Sequence, residues 1–336
     1  MPKRKASRWA AVAALCLMAC FARPTFGQDA EQLTANRRLL PNIGPGLRAV
    51  KVGADGRTYV LASPSPGLLV FDAQNKQVLA IEGVAAGTKS VNAALTFGED
   101  CDVDDAGRIY IADRGANLVQ VFSPEGALLR SMRVEAPLSV AVLPEGEVAV
   151  ATLREPHLVI VFDKNGRDVR EFGDPEQLTD RGDLNRFLNI GRLMRDAQGY
   201  VYYGFAYSPE PTVRRYDRHG YAALDIQYTA VDAAPEAQAV RREILRQEKR
   251  SSAPNFKRVL TAVGIDNASG EVWMAVGNTL LHFDTEGTRR DSYQLYTPSG
   301  ARLEASTILI GKDHLIIGSD PLGIYEFERP DKKAAR

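Results

Sequence analysis

Apolar and polar residues alternate along this chain in short runs, which are separated by turns rich in glycine, aspartate and proline. The clearest unit spans Asp102 to Arg130. One of its runs contains Ile109 and Ile111, and the next contains Val119, Val121 and Phe122. Alternation with a period of two between turn residues is typical of short antiparallel strands. The unit therefore predicts a four-stranded antiparallel meander.

This unit occurs six times along the chain. Its first turn ends on a glycine in five copies, namely Gly56, Gly107, Gly146, Gly199 and Gly270. Its third run closes on an aromatic residue in the same five copies: Phe71, Phe122, Phe162, Tyr216 and Phe283. The spacing from glycine to aromatic residue is 13 to 17 positions. Regular repetition of one small β unit predicts an all-β fold, a six-bladed β-propeller of four-stranded antiparallel blades over residues 47–327.

The sixth copy lacks a fourth strand, because residues 328–336 form a polar tail interrupted by a proline. An open ring would expose unpaired strand edges, which promote aggregation. The sequence therefore predicts that an N-terminal segment, residues 28–46, closes the ring. Residues within 33–40 are expected to supply the missing outer strand.

One helical insertion is predicted at about residues 232–250, between blades 4 and 5. Asp232 suits a helix cap, Pro235 suits a first turn, and Ala237, Val240 and Ile244 follow a helical spacing. We expect this helix to pack on a blade edge or across the channel mouth. A lid or partner-docking helix is the alternative.

Residues 1–27 have the features of a secretory signal peptide, with a basic start, an apolar run over Trp9–Ala22 and small residues near Gly27. The run is short for a membrane span. An alternative interpretation takes 17–20 as a lipobox, which would leave Cys20 lipidated. The sequence thus predicts an exported protein, periplasmic or extracellular, with no transmembrane segment in the mature chain and with a lipid tether as an alternative.

Removal of residues 1–27 changes the charge balance. The whole chain has 42 basic and 42 acidic residues, and five of the basic ones but none of the acidic ones lie in this segment. The mature chain therefore has a net charge of about −5, which argues against a nucleic-acid partner. Cys101 is then the single cysteine if cleavage follows Gly27, and we expect it to be a small buried apolar residue.

The stretch 102–122, DVDDAGRIYIADRGANLVQVF, resembles the NHL repeat. That repeat has a turn glycine before a strand, then Ala-Asp, then a loop with asparagine, and then an apolar run ending in phenylalanine. The resemblance covers most of 47–327 at the level of fold but about one repeat at the level of motif. It implies an NHL-like propeller and leaves the activity open, because function depends on the site rather than the fold.

The turns and the longer connections are predicted to lie on opposite faces of the ring, and long loops on a rigid scaffold are where binding usually occurs. We expect a non-catalytic binding or interaction scaffold, without a cofactor, whose long-loop face takes a protein, a peptide or an anionic small molecule. The candidate ligand-binding residues are Arg114, Asn117, Arg154, His157, Arg186, Tyr207 and Asp320.

The alternative function is a metal-dependent hydrolase or lyase with its site at the channel mouth. Similar six-bladed propellers include lactonases of the gluconolactonase and regucalcin type and peptide-amidating lyases. Only His157 among four histidines falls in a long-face loop, which disfavours a three-histidine zinc site. A Ca²⁺ site of oxygen ligands is the remaining option. Its candidate ligands are Asp100, Asp102, Asp113 and Glu155.

Overall fold

The computed structural model describes residues 30–40, 43, 45–83, 95–153, 156–228, 235–249 and 254–333. Two short strands, β1 (Glu31–Thr34) and β2 (Arg37–Leu40), precede the repeats. Blade 1 contains β3 (Leu47–Val52), β4 (Thr58–Ala62), β5 (Gly67–Phe71) and β6 (Gln77–Glu82). Blade 2 contains β7 (Gly98–Val103), β8 (Ile109–Asp113), β9 (Leu118–Phe122) and β10 (Leu128–Arg133). Blade 3 contains β11 (Pro137–Val142), β12 (Val148–Thr152), β13 (Val159–Phe162) and β14 (Asp168–Phe172).

Blade 4 follows a short helix, α1 (Gly182–Leu188), and contains β15 (Gly191–Arg195), β16 (Val201–Phe205), β17 (Thr212–Tyr216) and β18 (Ala222–Gln227). A longer helix, α2 (Pro235–Lys249), precedes blade 5. Blade 5 contains β19 (Leu260–Ile265), β20 (Val272–Val276), β21 (Thr279–Phe283) and β22 (Arg289–Tyr296). Blade 6 contains β23 (Thr307–Ile310), β24 (His314–Ser319) and β25 (Gly323–Glu328), followed by α3 (Pro330–Lys333). The prediction of six four-stranded blades is confirmed.

The N-terminal strands complete the last two blades. β2 pairs antiparallel with β25 and gives blade 6 its fourth strand, with Arg37 opposite Glu326. β1 pairs in parallel with β22 and adds a fifth strand to blade 5. The sequence did not predict this second contact. The chain therefore joins blades 5 and 6 on their outer edges just before it begins blade 1.

The core lies between neighbouring blades. Every residue of β8, β12, β16 and β20 is buried, because the second strand of a blade is covered on both sides. The outermost strands β6, β10 and β18 instead expose most positions and bury one apolar side chain each, namely Ile81, Met132 and Ile226. Packing between blades is thus the main source of stability in this ring.

Tight turns join the first strand to the second and the third to the fourth. Gly107 has φ of 76° and Gly126 has φ of 84°, a backbone conformation that favours glycine. A carboxylate at the start of such a turn accepts backbone N–H groups, as Asp104 does from Ala106 and Arg108. These turns define the short-turn face, and the remaining connections define the long-loop face.

The described residues contain the predicted helix and two short helices that the sequence did not predict. α2 lies inside the predicted insertion and buries Ala237, Val240 and Ile244. α1 and α3 are additional, and each is too short to show an apolar period. The tail also packs more closely than its polarity suggests, since Arg329 is buried and donates from Nη1 to Asp266 Oδ2 over 2.7 Å. Within the described residues, no helix combines the length and apolar character that a bilayer crossing requires.

Candidate functional site

A cavity of about 280 Å³ lies at the channel mouth on the long-loop face. We call it the arginine pocket. Arg114, Arg186 and Tyr207, three of the predicted binding residues, line it together. Arg192 and Arg258 add two further guanidinium groups that the sequence analysis did not select. Residues from blade 2, α1, blade 4 and the segment before β19 therefore converge on one site.

Glu99 lines the arginine pocket and pairs with two arginines. It stands on β7, is 8% exposed, and accepts from Arg114 Nη1 over 3.1 Å. Arg48 on β3 approaches the other oxygen of Glu99 at 3.9 Å and stacks over the Phe97 ring, 5.0 Å from its centroid. Two arginines thus share one carboxylate, so this group of three side chains has a net positive charge.

Arg192 lines both the arginine pocket and a cavity of about 380 Å³ in the channel. Its Nη1 donates to the Arg48 carbonyl oxygen over 2.7 Å and lies 4.0 Å from Asp100 Oδ1. Burial lowers the pKa of Arg192 below its ordinary value; Asp100 opposes this shift, and the nearby Arg258 adds to it. An anion beside Arg192 would offset the free-energy cost of burying its charge. It would also reduce the repulsion between the guanidinium groups of Arg192 and Arg258.

Two aromatic rings, those of Phe187 and Tyr207, also line the arginine pocket. Phe187 on α1 packs against Tyr207, with ring centroids 4.7 Å apart and planes tilted by 48°. Phe187 also stacks on Phe256, with centroids 5.4 Å apart. Tyr207 follows β16, is half-buried and lines the arginine pocket.

His157 lies in a neighbouring cavity of about 400 Å³, which shares Leu153 and Arg186 with the arginine pocket. Its Nδ1 is 3.7 Å from Asp174 Oδ1. The predicted residues His157 and Arg186 are therefore close in space. Arg154 and Glu155, which the sequence analysis also selected, lie outside the described residues.

Asn117 and Asp320 line neither cavity, and their contacts are structural. Asn117 adopts φ of 56° in the β8–β9 turn, and its Oδ1 accepts from the Ala136 N–H over 2.8 Å. Asp320 Oδ1 accepts from the Gly46 N–H over 2.8 Å, which ties blade 6 to the start of blade 1. The structure gives both side chains loop-fixing contacts away from the arginine pocket.

The acidic residues considered as metal ligands are occupied by protein groups. Asp100 and Asp102 face a channel cavity of about 380 Å³, as expected for alternate residues of an innermost strand. Asp100 accepts from the Ser139 hydroxyl, and Asp102 lies 3.8 Å from Lys51 Nζ and 3.9 Å from Arg195 Nε.

Asp113 is fully buried and accepts from four donors of its own blade: the backbone N–H groups of Thr96, Phe97 and Ala116 and the side-chain amide of Gln120. Among the residues that the structure describes, no group of three histidine, cysteine or acidic side chains is arranged to hold a metal ion.

Three residues near the arginine pocket that were not among the predicted binding residues occupy equivalent positions in the repeat. Arg48, Glu99 and Arg192 each occupy the second position of the first strand in a blade. Leu138 holds the same position in blade 3 and also lines the arginine pocket. Arg48, Glu99 and Leu138 each lie eight positions before their turn glycine, so alignment of the units on these glycines would have brought these three together; Arg192 lies seven positions before Gly199 and would have been offset by one.

Comparison with known proteins supports the fold. No family model matches the chain, and no curated protein sequence matches it. Among solved structures it is similar to a streptogramin B lyase, with a TM-score of 0.55 and 12% identity over 87% of this chain and 86% of that one. It is also similar to a virginiamycin B lyase from Staphylococcus aureus, with a TM-score of 0.53 and 12% identity over 87% of each chain.

A third similar structure is the hydrazine synthase of Kuenenia stuttgartiensis, with a TM-score of 0.53 and 10% identity over 87% of this chain and 97% of that one. Similarity at such low identity shows the propeller fold alone, since one fold carries many functions. The resemblance to the NHL repeat stays a prediction.

Proposed function

We propose that this protein is an exported, NHL-like propeller that binds an anionic ligand in the arginine pocket without catalysing a reaction. The convergence of Arg114, Arg192 and Arg258 on one concave site carries the proposal. Guanidinium groups bind carboxylates and phosphates through paired, charge-assisted hydrogen bonds. The protein is proposed to act in the periplasm or outside the cell, free or tethered through Cys20.

The local charge supports an anion as the ligand. Arg48, Arg114, Arg192 and Arg258 lie near the carboxylates of Glu99 and Asp100. Asp183 also lines the arginine pocket, but Arg181 holds it in an ion pair at 2.6 Å. The described surroundings therefore have about two positive charges in excess, even without Arg186.

Isothermal titration of the purified chain with citrate and with inorganic phosphate tests the proposal. Arg258→Gln should weaken citrate binding by about 10- to 100-fold, because a lost charge-assisted hydrogen bond costs about 1.5–3 kcal/mol. Arg133→Gln, on the outer strand β10, is the matched control and should leave the affinity unchanged. Failure of citrate, phosphate and every other charged probe to bind the parent protein, or equal binding of citrate by Arg258→Gln and the parent protein, would refute the proposal.

A metal-dependent hydrolase or lyase at the channel mouth is the competing function. Metal analysis of the purified protein distinguishes the two. Stoichiometric Ca²⁺ or Zn²⁺ that is lost on chelation, together with a lowered melting temperature, would favour the enzyme.

A further inference from the structure

The arginine pocket is lined by two chemically different kinds of side chain. Arg114, Arg192 and Arg258 contribute charge. Leu138, Leu153, Phe187, Ile190 and Tyr207 contribute apolar and aromatic surface. A small inorganic anion would contact only the charged groups and would leave the apolar surface in contact with water. The lining therefore fits a ligand that has an anionic end and an apolar body.

The size of the cavity also exceeds that of a simple anion. Its volume is about 280 Å³, near the lower limit of small-molecule pockets, which begin at about 300 Å³. The arginine pocket therefore has room for one ring and a short charged substituent.

The aromatic side chains that line the arginine pocket favour a ligand with a planar ring. Phe187 is held between Tyr207 and Phe256, so its position is fixed by two ring contacts. Offset and edge-to-face ring pairs at such distances stabilise more than their contact area alone predicts. Arg258 lies two residues after Phe256 in the segment before β19, and guanidinium groups stack favourably on aromatic faces. A planar aromatic ring would thus gain contacts that an aliphatic group of equal size would not.

We propose that the arginine pocket binds an aromatic acid, a planar ring that carries a carboxylate or phosphate group. The ring packs against Tyr207 and Phe187, and the anionic oxygens accept hydrogen bonds from Arg192 and Arg258. This inference rests on the proposed function, because it names the chemical class of the anion that the long-loop face binds.

The test compares phenylacetate, cyclohexylacetate, acetate and phenylacetamide by isothermal titration. Phenylacetate should bind about tenfold more tightly than acetate and more tightly than cyclohexylacetate, and phenylacetamide should bind weakly because it has no charge. Phenyl phosphate in a parallel titration determines whether a carboxylate or a phosphate is preferred. Tighter binding of phenyl phosphate would assign a phosphate head group to the ligand.

Variants of Tyr207 test the position of the ring. Tyr207→Ala should abolish the preference for phenylacetate over acetate, whereas Tyr207→Phe should retain it. Tyr221→Ala is the matched control, because Tyr221 is 75% exposed at the short-turn face and should not affect either ligand. The melting temperature of each variant is measured first, so that loss of binding is not confused with loss of folding.

The outcomes separate this inference from the proposed function. If acetate and phenylacetate bind equally, or if Tyr207→Ala leaves their ratio unchanged, the aromatic acid is refuted while anion binding stands. If none of the charged probes binds and citrate and phosphate also fail, both proposals are refuted. Stronger binding of cyclohexylacetate than of phenylacetate would refute the planar ring alone.

Discussion

Leu40→Ala tests how the ring is held closed. Leu40 is 4% exposed on β2, the strand that completes blade 6. Its core cluster contains Leu47 and Val60 of blade 1 as well as Ile316 and Ile324 of blade 6. The side chain therefore fills the junction at which the last blade meets the first.

The expected loss of stability follows from the burial of this side chain. Truncation of a buried leucine to alanine removes transfer free energy and leaves a cavity, at a cost of about 2–5 kcal/mol. The site lies at the end of a short strand and can partly relax, so we expect about 3 kcal/mol for Leu40→Ala. Leu129→Ala is the control because Leu129 is 54% exposed on β10, and it should change stability by less than about 0.5 kcal/mol.

Urea unfolding followed by tryptophan fluorescence measures both variants. The chain has two tryptophans, Trp9 in the predicted signal peptide and the fully buried Trp273 on β20, so the mature protein carries one internal reporter. Deletion of residues 28–41 removes β1 and β2 and should lower the melting temperature further, because β22 and β25 become open edges. If Leu40→Ala costs no more than Leu129→Ala, or if the deletion leaves the melting temperature unchanged, β2 does not hold the ring closed.

Two further predictions concern single carboxylates. Asp113→Ala should cost about 3 kcal/mol in urea unfolding, because the buried amide of Gln120 and the partly buried N–H groups of Thr96 and Phe97 lose this acceptor. The loss should be the same with and without a chelator; a loss that appears only without chelator would instead indicate a metal ligand. Hydrogen bonding to Arg246 lowers the pKa of Glu243 to about 2 from an ordinary value of 4.5. The stability from this group is therefore complete above pH 4.5 and disappears as the pH falls towards 2, so the difference in melting temperature between the parent and Glu243→Gln should shrink over that range; a constant difference would contradict this reasoning.

The blades were predictable because their signals are local and repeated. Each turn glycine and each closing aromatic residue lies within one unit, so the number of blades and the order of strands can be read without knowing long-range contacts. The contact of β1 with β22 could not be read in this way. Its register depends on residues more than 250 positions apart, and Glu31–Thr34 has no pattern that selects blade 5 over blade 6.

The candidate site was only partly predictable for the same reason. Arg114, Arg186 and Tyr207 were selected because they fall in long-face loops, and the structure brings them together. Arg192 lies within a strand, and Arg258 follows a long insertion, so neither has a local sign of function. Asn117 and Asp320 fall in similar loops, but the backbone N–H groups of their own surroundings use their side-chain oxygens. Exposure in a loop therefore does not separate a binding side chain from one that fixes the loop.

The charge of the whole chain and the charge of the arginine pocket have opposite signs. From residue 28 onward the chain carries about five negative charges in excess, which would repel an anion at long range. At physiological ionic strength, however, charges more than about 8 Å from a ligand are largely screened. An anion at the channel mouth therefore interacts mainly with Arg114, Arg192 and Arg258, while the carboxylates of the channel are offset by Lys51 and Arg195. Because this local arrangement decides the sign of the potential, an acidic protein can still select an anion at this site.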